Sequence, residues 1–110
     1  MKDNYNKSVK HTDNEFKNWC KKIGIKIFRI EYLITWEDWD DGIEVYIFTK
    51  TNKELSDLSE NQIENLKFEY LNCLKRNNYP FDKFPNIGFV FDSDQNVKEN
   101  YEGSYFYRLR

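Results

Sequence analysis

A chain of 110 residues supplies one hydrophobic core and not two, because domains need on the order of 100–150 residues each. Hydrophobic residues make up 39% of it, 18% of the chain being aromatic, against 33% charged; intrinsic disorder, which goes with few aromatic and β-branched residues, is thereby excluded. No run nears the roughly 18 apolar residues of a membrane span, the opening MKDNYNKSVK carries no apolar signal segment, and a net charge of -2 argues against duplex binding, so a single folded cytoplasmic domain is expected.

The first element is announced by Thr12-Asp13-Asn14-Glu15, which has the form of a capping box. Phe16, Trp19, Cys20 and Ile23 follow at i, i+3, i+4 and i+7, and Gly24 supplies the left-handed residue that closes a helix. A helix is predicted over 13–23, with 1–11 as a flexible tail. From residue 25 to 36 the period changes to two, Phe28, Ile30, Tyr32, Ile34 and Trp36 sharing one face. A second alternating run at 43–50 makes an antiparallel hairpin with it, Asp41-Gly42 providing the turn chemistry.

Ser59-Glu60-Asn61-Gln62 is a second capping box, with Leu58 and Ile63 placed as a hydrophobic staple. The stripe Ile63, Leu66, Tyr70, Cys73 and Leu74 continues the helix, which should end near Asn77-Asn78 because Pro80 disfavours helix just before it. Residues 79–86 read as a loop packed by Tyr79, Phe81 and Phe84, 87–91 as a third strand, 92–100 as a polar connection and 104–109 as a closing strand. The order is αββαββ. The expected fold is α+β: a two-layer sandwich with a mainly antiparallel four-stranded sheet and two helices covering one face.

Charge is strongly segregated along this order. Residues 1–29 carry eight Lys and Arg against three carboxylates, whereas 30–49 carry none against six: Glu31, Glu37, Asp38, Asp40, Asp41 and Glu44. Local charge of this kind, more than the net value, decides what a surface attracts.

Catalytic chemistry finds little support. The single histidine, His11, lies in a polar stretch with no acid or base placed beside it, and reads as a surface residue. Cys20 and Cys73 fall on the buried stripes of their helices and read as core thiols; two cysteines alone do not complete a tetrahedral zinc site. Asp92-Ser93-Asp94-Gln95-Asn96 begins like a calcium loop, but Val97 replaces the turn glycine and Gly103 the bidentate glutamate, so a strand-end turn is the better reading. Four scattered glycines make no phosphate-binding loop, and Glu37 with Asp40 at a hairpin tip lack the cleft that a glycosidase pair requires. No cofactor, no metal and no enzymatic activity are expected.

Binding is better supported. Trp36 and Trp39 are rigid anchors of the type enriched at interface hot spots, and Glu37, Asp38, Asp40 and Asp41 surround them, with Glu44 just beyond. Such a patch is steered toward a basic partner. Tyr101 and Glu102, ahead of Tyr105 and Tyr107, add a second candidate surface near the carboxy terminus. The candidate partner-binding residues are therefore Trp36, Glu37, Asp38, Trp39, Asp40, Asp41, Glu44, Tyr101 and Glu102.

A short helix, the strand Ile43-Glu44-Val45-Tyr46-Ile47-Phe48, a long capped helix and the closing stretches Phe89-Val90-Phe91-Asp92-Ser93-Asp94 and Asn100-Tyr101-Glu102-Gly103-Ser104-Tyr105-Phe106-Tyr107 together resemble small bacterial immunity proteins of polymorphic and contact-dependent toxin systems. The resemblance implies a protein without catalytic residues that binds and blocks a cognate toxin domain, often a nuclease. Combined with the charge map, it implies occlusion of a basic cleft by an acidic-aromatic surface. The alternatives are a nucleic-acid or ribosome-associated binding module using the basic amino-terminal third, and a small regulatory subunit of another enzyme; neither membrane nor direct nucleic-acid contact belongs to the first reading.

Overall fold

A computed structural model describes residues 4–34 and 42–109. Among them the order is α1 (Asn4–Ile23), β1 (Arg29–Ile34), β2 (Gly42–Thr49), α2 (Asn52–Ser56), α3 (Glu60–Arg76), β3 (Asn86–Ser93), α4 (Asp94–Asn100) and α5 (Tyr105–Arg108). The strands form one sheet in the order β1-β2-β3. β1 pairs antiparallel with β2, from Arg29 opposite Phe48 to Ile34 opposite Ile43, as the hairpin alternation predicts. β3 pairs parallel with β2, from Gly42 opposite Asn86 to Thr49 opposite Ser93. A parallel partner needs a crossover, and α2 and α3 provide it.

β2 is buried along nearly its whole length, which is the mark of a strand covered on both faces. Its Ile43, Val45 and Ile47 join Val9, Phe16 and Cys20 of α1 and Leu66, Tyr70, Cys73 and Leu74 of α3 in the main core. Its Tyr46 and Phe48 point the other way, into a smaller cluster with Val97 of α4, Tyr105 of α5, Leu33, Val90, Tyr101 and Leu109. The protein is α+β, but with helices on both faces of a three-stranded mixed sheet.

Several boundaries therefore differ from expectation. The predicted closing strand at 104–109 is α5, capped by the Ser104 hydroxyl, which accepts from the Tyr107 N–H. Tyr101, Tyr105 and Leu109 all pack on the second cluster, and their spacing of four is helical, overriding the two-residue alternation of Tyr105 and Tyr107. The predicted polar connection at 92–100 contains α4, whose cap is Ser93 accepting from the Asn96 N–H. The four-stranded, mainly antiparallel, two-layer arrangement gives way accordingly. The short α2, capped by Thr51, was not foreseen.

α1 opens at Asn4, so residues 4–11, read as a tail, are its first turns. Val9 and Thr12 are fully buried there. Thr12 thus lies mid-helix, and its capping-box neighbour Glu15 serves a tertiary contact instead, accepting from the Asn77 amide at 3.0 Å, while one turn earlier the Ser8 hydroxyl donates to the Asn77 carbonyl at 2.7 Å. The strand predicted from residue 25 enters the ladder only at Arg29, although the Phe28 N–H already donates to the Phe48 carbonyl at 2.8 Å. Other signals are borne out. Gly24, at φ +81°, closes α1, with the Ile25 N–H on the Cys20 carbonyl and its own on that of Lys21. Ser59 and Gln62 form the expected capping box of α3, which ends at Arg76 with Asn78 left-handed beyond it.

Candidate functional site

The acidic-aromatic candidates divide into two groups. Trp36, Glu37, Asp38, Trp39, Asp40 and Asp41 lie outside the described residues, as does the hairpin tip they were expected to form. The strands on either side are described, and Ile34 pairs with Ile43 at one end of the sheet. Beside them, Gly42 pairs with Asn86 at the start of β3.

Glu44, Tyr101 and Glu102 are placed. Glu44, on β2, is half-buried on the face that carries Tyr46, with its carboxylate against Gly88, whose lack of a side chain leaves the room. Tyr101, at the carboxy-terminal cap of α4, packs into the second cluster on that same face. Glu102 is exposed with φ at 56°. Glu44 and Tyr101 thus belong to one face of the sheet, where a belt centred on Arg108 holds Tyr101 beside Tyr46.

In that belt the Arg108 guanidinium donates to the Asp92 carboxylate at 2.5 Å and lies 5.4 Å from the Tyr46 ring centre and 5.5 Å from that of Tyr101. Asp92 also accepts from the Ser93 N–H at 2.8 Å and from the Asn96 amide at 3.1 and 3.0 Å, so this buried carboxylate is fully engaged. Next to it the Tyr105 hydroxyl donates to Asp94 at 2.6 Å, which, with Lys98 beside it, holds the Asp94 carboxyl below the usual range. The Arg29 guanidinium stacks 3.8 Å above the Tyr105 ring. The residues of the calcium-like stretch therefore cap and fasten helices. Sequence reasoning singled out Asp92, Asp94 and, separately, Tyr105, but neither Arg29 nor Arg108 nor the pairing of Tyr105 with Asp94, because these residues lie in different elements.

On the opposite face the Tyr70 hydroxyl donates to Asp13 at 2.6 Å across α1 and α3. Burial raises the Asp13 carboxyl to about 6, against the pull of the Tyr70 bond and of Lys17. Cys20 and Cys73 are buried, as expected, and burial pushes each thiol up to about 12, a range in which neither serves as a nucleophile near neutrality. His11 is exposed. Among the described residues no His, Cys, Asp or Glu side chains gather as a metal site, and no helix is long and apolar enough to cross a membrane.

The basic amino-terminal third has its own geometry. Lys17 and Lys21 of α1 face Lys26 across a groove of about 570 Å³ that also contains Ile25 and Ile27. Its signal in the sequence is the i, i+4 pair of lysines followed by a third just past the helix-closing glycine; read linearly, these bases looked dispersed along a helix and tail. No protein-family model, characterised protein or solved structure matches the chain.

Proposed function

We propose that this protein is an immunity-type inhibitor: it binds a toxin domain with a basic cleft, such as a nuclease, and occludes that cleft with the carboxylates and tryptophans of its 36–44 segment. The observation that carries the reading is the charge map, six carboxylates and no Lys or Arg between residues 30 and 49. In a cleft built for phosphates, carboxylates compete for the same cationic groups, and two indoles supply desolvated anchor area. The pairing of Ile34 with Ile43 supports the reading, because the two strands that flank the carboxylate run belong to one ladder whose central strand contributes to both cores.

The test is recovery of a partner from the native host on tagged wild-type protein and on the quadruple variant Glu37→Lys, Asp38→Lys, Asp40→Lys, Asp41→Lys. The wild type is expected to retain a toxin domain with a basic surface and to protect cells that express it. The variant should associate more slowly by about tenfold or more at low salt, with the salt dependence of the rate lost in parallel. Equal association rates for the two proteins would move the interface off this segment and end the occlusion mechanism.

A further inference from the structure

The groove between α1 and the 24–27 strap combines two features of a docking site. Its walls carry the ammonium groups of Lys17, Lys21 and Lys26 and no carboxylate. Lys17 and Lys21 stand one helical turn apart on one side of α1, and neither Lys21 nor Lys26 forms an ion pair among the described residues. Asp13 interacts with Lys17, and on the other side of the strap Glu54 and Asp57 line the hollows that Lys26 also borders, so the side facing α1 is the one free of carboxylates.

The strap adds main-chain groups. The N–H groups of Gly24 and Ile25 are spent closing α1, and that of Phe28 reaches Phe48, but among the described residues the backbone N–H and C=O of Lys26 and Ile27 make no hydrogen bond. Backbone with open donors and acceptors, leading directly into the edge strand β1, is a template for an extended chain. Lysines beside such a template repel most strands and guard it against self-pairing; a strand bearing carboxylates reverses the sign of that interaction.

We propose that this groove docks an acidic, extended segment of a partner protein, its main chain pairing with Lys26 and Ile27 and its carboxylates meeting Lys17, Lys21 and Lys26. The inference is independent of the acidic 36–44 segment and stands or falls apart from it. Nucleic acid fits the same groove less well, because no aromatic side chain lines it to stack a base.

The experiment titrates the ¹⁵N-labelled full chain with a synthetic peptide alternating Glu and Val, a pattern that presents all its carboxylates on one face when extended. Amide shifts are expected to centre on residues 17–27, to be lost with the matching Gln-Val peptide, and to fade with added salt. In Lys21→Glu/Lys26→Glu the peptide should bind about tenfold or more weakly, with the thermal unfolding midpoint unchanged. The proposal is overturned if no shift occurs, if shifts centre elsewhere, or if the Gln-Val peptide binds as well. It is equally overturned if oligodeoxythymidine shifts the same amides at lower concentration, or if they shift with protein concentration alone, which would make the occupant a second copy of this chain. Should the double variant not fold, the two-peptide comparison on the native chain decides the matter by itself.

Discussion

Asp13 is a carboxyl placed between two helices, with one good hydrogen bond, from Tyr70 at 2.6 Å, and little water. Burial lifts its pKa from 3.8 to about 6, Glu31 pushing the same way, and the Tyr70 bond and Lys17 recover only part of the loss. The folded protein therefore holds this proton more tightly than the unfolded chain does. By linkage, the stability that goes with it is fully present below pH 3.8 and is lost as pH rises through about 6. Asp13→Asn keeps an oxygen for the Tyr70 hydroxyl and removes the charge. It is expected to be more stable than wild type at pH 7.5 by on the order of 1–2 kcal/mol, an effect reduced by the solvent that still reaches this half-buried site, and to show no gain at pH 3.5. Urea unfolding at a series of pH values measures this. A variant weaker than wild type at pH 7.5 would mean that the ionised carboxylate's bond to Tyr70 outweighs its burial. The sequence places Asp13 in the first turn of a helix, because Thr12-Asp13-Asn14-Glu15 satisfies a capping pattern. That pattern describes local bonds, and here the same side chains are taken by α3.

The short helices make the same point about spacing. α4 and α5 have seven and four residues, too few for a helical period to stand out, and helices of that length are not stable alone. Ser93 and Ser104 cap them, yet what keeps them in place is tertiary: Val97 and Tyr105 against Phe48, and Arg108 on Asp92. The Tyr105 and Phe48 rings meet edge to face with centres 4.9 Å apart. The Arg108 and Asp92 side chains are 19% and 11% exposed, so their ion pair lies between the surface and fully buried cases. Removing one partner of a buried pair costs about 3–5 kcal/mol, and of a surface pair about 0–1. Arg108→Ala is accordingly expected to lower stability by about 2 kcal/mol and, more specifically, to free α5. Chymotrypsin should then cut at Tyr105, Phe106 and Tyr107 faster than in wild type, before the main core unfolds. Unchanged cleavage at those sites would show that the aromatic packing alone secures α5. α3, by contrast, was readable in full, since its cap, its stripe of Leu66, Tyr70, Cys73 and Leu74 and its exit all lie within one run of sequence.

The whole molecule is assembled on β2, which pairs on both edges and packs on both faces. Its antiparallel partner follows from local alternation and was legible. Its parallel partner was not, because β3 arrives after two helices and nothing in its own residues records a direction. Nor did the sequence give the candidate surfaces equal footing: the acidic run is contiguous, whereas the lysine groove exists only once the strap folds back along α1. One position does encode the parallel pairing. Gly42 opens β2 directly opposite Asn86, and a Cβ built on it would fall 1.7 Å from the Asn86 carbonyl oxygen and 2.6 Å from its carbon. These are backbone atoms, so relief requires the two strands to separate where their register is set. At Gly88 a Cβ would meet only the Glu44 side chain, at 3.0 Å, which can swing away. Gly42→Ala is therefore expected to cost about 3 kcal/mol, at the upper end for overpacking, and to lower the melting temperature by about 10 °C or more. Gly88→Ala should stay within a few degrees of wild type, since a flexible carboxylate yields at little cost and alanine gives up less backbone entropy on folding than glycine. Calorimetry of the two variants side by side separates backbone approach from ordinary crowding. Equal midpoints for Gly42→Ala and wild type would mean that β3 does not lie in this parallel register on β2, and the crossover topology would have to be redrawn.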